Sequence, residues 1–326
     1  MPGNRLSRRA AAALLAAAAL ARPAAAQAWP SRPVRIIIPY PPGGPSDMIA
    51  RLIGEVFQAQ TGQALVADNR AGGNATIGTA AVAQAPADGS MVLLATSQTH
   101  AINLSVMDSV PYRPVEDFTP VAGLVALPHV LVVPAASPAR DLAGLLALLR
   151  AAPGRHNHGS TGYGTGGHLG GAMLMRVAGV SSTHVPFRGA APMVTELLAG
   201  RLDYAIATLA SVMPHIRSGA LRPLGAASPN RLAQLPQVPT LAEQGVRGVE
   251  LDAWYALFGP AGLPAEVVGT LARIASLTLD NPATVERLQE AGFVLWRRSP
   301  EELRAALPGE IARWGELVRT AGARVE

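Results

Sequence analysis

Eight residues between a run of isoleucines and a helical pattern, Tyr40-Pro41-Pro42-Gly43-Gly44-Pro45-Ser46-Asp47, combine three prolines with two glycines. Proline fixes φ and removes a backbone donor. Glycine permits positive φ and lets another group approach the backbone. A helix starting here would leave its first N–H groups unpaired, at the positive end of its dipole. That arrangement suits an anion. It suits equally a tight strand-to-helix turn, with Ser46 or Asp47 as the helix cap. A second loop, His158–His168 with sequence HGSTGYGTGGH, repeats the design. Here Ser160, Gly162, Gly164, Thr165, Gly166 and Gly167 precede a helix expected from Leu169. The glycines resemble a phosphate cradle, but the Gly-Lys-Ser/Thr ending is missing. A plain flexible loop is the other reading. Arg188, in the stretch HVPFRG, follows a strand pattern and could meet a carboxylate bidentately. It could also be a surface arginine.

Other chemistries are poorly supported. His156, His158 and His168 fit no strong metal-ligand spacing, and no acid accompanies them in that loop. The chain has no cysteine, which removes thiol nucleophiles and Cys metal sites. It also has no lysine, which removes Walker A loops, Schiff bases and Ser-x-x-Lys hydrolases. No Gly-x-Ser-x-Gly elbow supports a serine hydrolase. Aromatic residues make up only 4% of the chain, too few for stacking platforms on single-stranded nucleic acid.

The elements that must position these loops alternate β-branched runs with longer helical patterns, which predicts an α/β fold. Val34–Pro39 reads as a strand. Asp47–Gln60 reads as a helix, with Met48, Ile49, Leu52, Ile53, Val56 and Phe57 on one face and Gly62 past its end. Further strands are expected at 64–67, 91–96, 130–134, 183–185, 203–207, 222–226 and 251–258. Helices are expected near 76–84, 141–152, 169–178, 190–199 and 211–217. Three more helical patterns, near 264–280, 282–291 and 300–321, close the chain.

Residues 1–28 read as an export signal: Arg5, Arg8 and Arg9, then an Ala/Leu run, then the small-residue site Ala26-Gln27-Ala28. The Ser7-Arg8-Arg9 run fits the twin-arginine or the general secretory route. This segment holds four of the 27 basic residues and none of the 22 acids. The remainder therefore has 23 arginines against 22 acids. That near-neutral balance gives no argument for nucleic acid.

Taken together, the pieces resemble the solute-binding proteins of tripartite tricarboxylate transporters, the Bug proteins. The resemblance runs over nearly the whole chain after the signal. It rests on Trp29-Pro30, RIIIPYPPGGPSD, Asn69-Arg70, Ala87-Asp88-Gly89, Thr99-His100-Ala101-Ile102-Asn103 and Asp117-Phe118-Thr119-Pro120. It continues through the Ser160–His168 loop, HVPFRG, Gly200-Arg201-Leu202-Asp203, Pro214-His215-Ile216, Pro239-Thr240, Trp254 and Gly259-Pro260-Ala261-Gly262. Their shared order and spacing make it specific.

The resemblance implies a two-lobe clamshell of the periplasmic-binding-protein type, with chain crossovers between the lobes. Lobe one would be 29–126 plus 240–326, and lobe two 127–239. The ligand would be a small organic acid, either a di- or tricarboxylate or an aromatic acid, held by backbone N–H groups and water. The expected ligand-binding residues are Tyr40, Gly43, Gly44, Ser46, Ser97 and His100 from lobe one. Ser160, Gly164, Thr165 and His168 would serve from lobe two, with Arg188 at the rim. Asp47 is expected to order its loop. The resemblance implies no cofactor, no metal and no catalysis. It implies a periplasmic location, a monomer, and delivery to transporter membrane subunits or to a sensor.

Two departures from the family pattern stand out. Asn74 and Ala75 occupy positions where glycines are common. Asn tolerates positive φ, whereas Ala does not. Ala207 stands where an acidic residue would meet a ligand's amine, so plain carboxylic acids are expected over amino acids. From other classes, a periplasmic hydrolase using the same cleft is the alternative, and an adhesion protein a third reading.

Overall fold

The computed structural model describes residues 29–322, so the expected export signal lies outside the described residues. Two sheets organise the chain. The first has β1 (Val34–Ile38), β2 (Leu65–Asn69), β3 (Met91–Thr96), β4 (Phe118–Leu127), β10 (Ala253–Pro260) and β11 (Val294–Arg298), in the order β11-β4-β10-β3-β1-β2. The second has β5 (His129–Pro134), β6 (Asn157–Ser160), β7 (Thr183–Pro186), β8 (Tyr204–Thr208) and β9 (Leu221–Ala227), in the order β7-β6-β8-β5-β9. Each sheet is mixed. β1 runs parallel to β2 and β3, while β10 is antiparallel to β3 and β4. β6 runs parallel to β7 and β8, while β5 is antiparallel to β8 and β9.

β1 reads Val-Arg-Ile-Ile-Ile because it is a central strand with helices over its sheet. Ile36, Ile37 and Ile38 are fully buried, each worth about 1.5–3 kcal/mol of apolar burial. Helix α1 (Pro45–Thr61) turns Ile49, Leu52, Ile53 and Phe57 onto that sheet and stops at Gly62, whose φ of 70° sits in the left-handed region. The helix starts earlier than the pattern predicted. Gly44 is its cap, Pro45 opens its first turn, and Asp47 Oδ2 accepts from the Gly44 N–H at 3.0 Å.

The other helices are α2 (Thr76–Ala83), α3 (Asn103–Val106), α4 (Leu142–Ala151), α5 (Gly166–Ala178), α6 (Ala190–Leu198) and α7 (Leu209–Arg217), followed by α8 (Ala265–Asp280), α9 (Pro282–Glu290) and α10 (Pro300–Ala321). A π-helical turn, Gln98–Ile102, links β3 to α3. Three strands were not anticipated as strands: β4, β6 and β11. β4 contains Pro120 and Gly123, which mask its pattern, yet it pairs with β10 along its length. β6 lies inside the glycine-rich stretch taken for loop.

The chain passes from the first sheet to the second at Pro128, between β4 and β5. It returns between Ala227 and Ala253. On the way, Thr240 bridges Ala226 and Leu241 packs in the core beside Leu224, so residues 240–251 stay with the second sheet. The C-terminal helix α10 packs Trp314 and Val318 into the second sheet's core and Leu303 and Leu307 against the first. It thus straps the two lobes together. Among the described residues, no helix is long and apolar enough to cross a membrane.

Candidate functional site

Between the sheets lies a cavity of about 760 Å³. One wall is built by Tyr40–Pro42, Gly44–Ser46, Ala71–Ala75 and Thr96–Gln98. The facing wall is built by Thr161–Tyr163, Thr165, Gly166, Pro186–Pro192, Thr208 and Ser211. Leu127, His129 and Ala253–Tyr255, where the chain crosses between lobes, complete the lining.

The wall is largely made of helix beginnings. Gly44 caps α1, Ala75 caps α2, Thr165 caps α5, Gly189 caps α6 and Thr208 caps α7, and all five residues line the cavity. Each helix start presents unpaired N–H groups and a positive partial charge. Among the described residues, the lining contains no Asp or Glu, and Arg188 is its single formal cation. The electrostatics favour an anion.

Local hydrogen bonds hold the two loops in shape. Asn69 Nδ2 donates to the Tyr40 carbonyl and to Asp47 Oδ1, both at 3.1 Å. With its bond to Gly44, Asp47 therefore spends both carboxylate oxygens inside the protein. Tyr40 Oη lies 2.8 Å from Thr96 Oγ1, and burial raises the Tyr40 phenol well above its ordinary value. Across the cleft, Thr165 Oγ1 donates to the Gly162 carbonyl at 2.8 Å and accepts from the His168 N–H. His168 Nδ1 accepts from the Gly164 N–H at 2.9 Å.

Of the residues expected from sequence, Tyr40, Gly44, Ser46, Ser97, Thr165 and Arg188 line the cavity. Arg188 is exposed, at the rim. Gly43, His100, Ser160, Gly164 and His168 stand outside the lining. His100 is fully buried, 4.7 Å from the Phe118 ring and 4.3 Å from the Phe258 ring, with Nδ1 2.9 Å from Thr99 Oγ1. Burial pushes its imidazole down to about 3. Ser160 is also fully buried, bonded to Gly162 and 2.7 Å from His184 Nε2. A serine beside a histidine invites a hydrolase reading, but this hydroxyl has no exposed surface through which to attack a substrate. His168 stacks on His184 at 4.2 Å between ring centres, and burial pushes both imidazoles down. Ala207 packs into the core, and its neighbour Thr208 faces the cavity instead.

Most of the other wall residues were not expected as site residues, among them His129, Gly166 and Asn74. His129 follows Pro128 on the crossover strand, nearly fully buried, and burial pushes it down to about 4. Gly166 fits there only because it lacks a side chain, since an added Cβ would stand 2.7 Å from His129 Nε2. Asn74 was noted only for its backbone. Both Asn74 and Ala75 adopt positive φ, 55° and 70°. The turn survives with both residues in place, and Ala75 takes a conformation that costs an L-residue about 1–2 kcal/mol.

Known proteins match this architecture. Residues 49–323 match the tripartite tricarboxylate transporter family receptor. Protein BugT of Bordetella pertussis is 34% identical over 313 residues, covering 96% of this chain and 96% of BugT. An R. palustris protein solved with adipate, Rpa4515, superposes with a TM-score of 0.87 at 34% identity, covering 91% of this chain and 100% of that one. MatC from Rhodopseudomonas palustris with bound malate superposes with a TM-score of 0.83 at 31% identity, covering 89% and 100%. The chain belongs to the tripartite tricarboxylate transporter receptors, the Bug proteins, a family of solute-binding receptors with a two-lobe fold.

Proposed function

We propose that this chain is an exported periplasmic receptor that closes around a small organic carboxylate and hands it to the membrane subunits of a tripartite tricarboxylate-type transporter. It acts by binding and release, without chemical turnover. The observation that carries this reading is the lining itself: five helix starts from two sheets surround one cavity without an acidic side chain. The relatives solved with adipate and malate support a carboxylate. In this reading Tyr40, Gly44, Ser46, Ser97, Thr165 and Arg188 touch the ligand or its bridging waters. Gly43, Asp47, Ser160, Gly164 and His168 shape the two loops, while His100 packs in the core against Phe118 and Phe258. Bound water can replace direct contacts at modest cost.

Closure would be a hinge motion about the crossovers near Pro128 and Ala227–Ala253, driven by contacts available only when both walls touch the ligand. Thermal-shift and calorimetric titration against mono-, di-, tri- and aromatic carboxylates, with the matching amides as controls, tests it. A cognate acid at about 100 times its Kd adds roughly 2.7 kcal/mol, a rise of about 4–5 °C for a chain of this size. An amide that binds as tightly as its acid overturns the carboxylate reading. Within the panel, aspartate is expected to bind more weakly than succinate, because its ammonium group finds no carboxylate on the wall and pays for desolvation.

A further inference from the structure

Two side-chain amides, Gln98 and Asn74, line the cavity. An amide can offer its nitrogen or its oxygen, and the network around it decides which. Gln98 belongs to the π-helical turn after β3, a kind of turn that gathers at functional sites. Its orientation is fixed by a relay through the fully buried Asn103. The Asn74 carbonyl can only accept, so Asn103 must give it Nδ2, and does so at 2.9 Å. That leaves Asn103 Oδ1 to accept, and Gln98 Nε2 donates to it. Gln98 Oε1 is what remains. It takes no hydrogen bond from any described residue, and it is not sealed inside the protein. Gln98 keeps 7% of its surface open, and it opens on the cavity that it lines. Asn74 turns the same way: its Nδ2 is sealed, and Oδ1 is the atom left open. Both amides therefore show the cavity an acceptor and withhold the donor.

Resting on the carboxylate reading above, we infer that Gln98 is a specificity-determining residue whose Oε1 accepts from a hydroxyl on the ligand, so that hydroxy-substituted carboxylic acids are preferred to their unsubstituted, oxo and amino counterparts. The chemistry of the wall fixes the class. A ligand that covers an acceptor without supplying a donor leaves it unpaired and loses affinity, which is how polar sites reject analogues that lack a single group. A carbonyl in the same place would set oxygen against oxygen, a repulsive element that rejects the oxo acid outright. The donor is also neutral. Among the described residues the lining has no Asp or Glu to balance an ammonium, and the helix starts and Arg188 make the wall positive.

The test is titration calorimetry of wild type, Gln98→Met and Gln98→Asn on three sets of acids: propionate, lactate and pyruvate; glutarate, 2-hydroxyglutarate and 2-oxoglutarate; benzoate, 4-hydroxybenzoate and 4-fluorobenzoate. Each set holds a plain acid, its hydroxyl derivative and a derivative of similar size without a donor. Wild type is expected to prefer the hydroxy acid to both companions in at least one set by about tenfold or more. Gln98→Met keeps the length of the side chain without an amide, and Gln98→Asn keeps an amide but draws it back by one methylene. Both are expected to lose the preference while binding the plain acid within about threefold of wild type. The comparison of hydroxy with oxo acid in wild type needs no variant, so it stands even if a substitution prevents folding. An oxo acid that binds wild type as tightly as its hydroxy acid, or a hydroxyl preference that survives in a folded variant, overturns the role of Gln98 and leaves the carboxylate reading standing. A wild type that binds no acid, after unfolding and refolding to strip any carried ligand, overturns both.

Discussion

Gly164, in the loop after β6, lies against Val106, in the helix after β3: a Cβ added to Gly164 would stand 2.7 Å from Val106 Cγ2. Two lighter contacts accompany it, Gly189 beside Pro41 and Gly162 beside Asn74. At these three points the loops of the two sheets approach each other through glycines. Gly164 also has a φ of 68°, so any replacement is strained as well as crowded. Gly164→Val is expected to cost about 1–3 kcal/mol of stability and to weaken acid binding tenfold or more, with a larger radius of gyration in the presence of ligand. Full affinity with an unchanged scattering profile would show that the Val106 contact does not limit closure.

Ser160 sits behind the wall rather than on it. Ser160→Ala removes its bonds to Gly162 and its contact with His184. The expected result is a loss of about 1 kcal/mol in denaturant unfolding, with acid affinity within about threefold of wild type. A tenfold loss of affinity without loss of stability would instead assign the hydroxyl a direct contact with the ligand. Turnover of a generic ester that disappears in the same variant would favour a hydrolase.

Arg188 contributes charge at the rim and has no ion-pair partner among the described residues. Arg188→Gln is expected to lower acid affinity about tenfold, within the range of a hydrogen bond to a charged group. It should also flatten the dependence of affinity on salt. Arg188→Lys should restore the salt dependence but only part of the affinity, because an ammonium lacks the planar fork that meets a carboxylate bidentately. Equal affinities for all three proteins would place the carboxylate elsewhere on the wall.

Buried histidines make the fold sensitive to acid. Burial pushes His100 down to about 3 and His129 to about 4. His158 falls to about 4 and His184 to about 3, burial being the larger cause in each, with neighbouring histidines adding to it. In the unfolded chain each takes a proton near 6.5. Between 6.5 and those lowered values, the unfolded chain binds protons that the folded chain refuses. Their contribution is therefore complete above about pH 6.5 and is lost as the pH falls from there towards 4. For His100 and His129 the slope reaches about 1.4 kcal/mol per pH unit each. Urea unfolding between pH 7.5 and 4.5 should show a plateau and then a decline, and His100→Leu should make that decline shallower. A flat profile down to pH 4.5 would mean that these imidazoles charge freely in the fold.

The sequence by itself determined the first strand and the helices around the site, the two loops and the excluded chemistries. Three isoleucines before Tyr40 require a buried strand, and the spacing of Ile49, Leu52, Ile53 and Phe57 requires a helix, because side-chain periodicity reports directly which face is covered. The proline-glycine run marks where the strand gives way to the helix, although Gly44 rather than Ser46 or Asp47 proved to be the cap. The missing lysines and cysteines are facts of composition that no folding can alter. Tertiary structure decided which groups actually meet. His100 lies between Phe118 and Phe258 because β3, β4 and β10 are neighbours, a pairing that joins residues some 140 positions apart in the chain. β4 itself escaped notice because Pro120 and Gly123 interrupt its pattern, and only its partner β10 makes it a strand. Asn74, His129 and Gly162 belong to one cavity because two sheets face each other across Pro128. Local propensity measures how a residue treats its near neighbours, whereas a binding wall is assembled from distant ones.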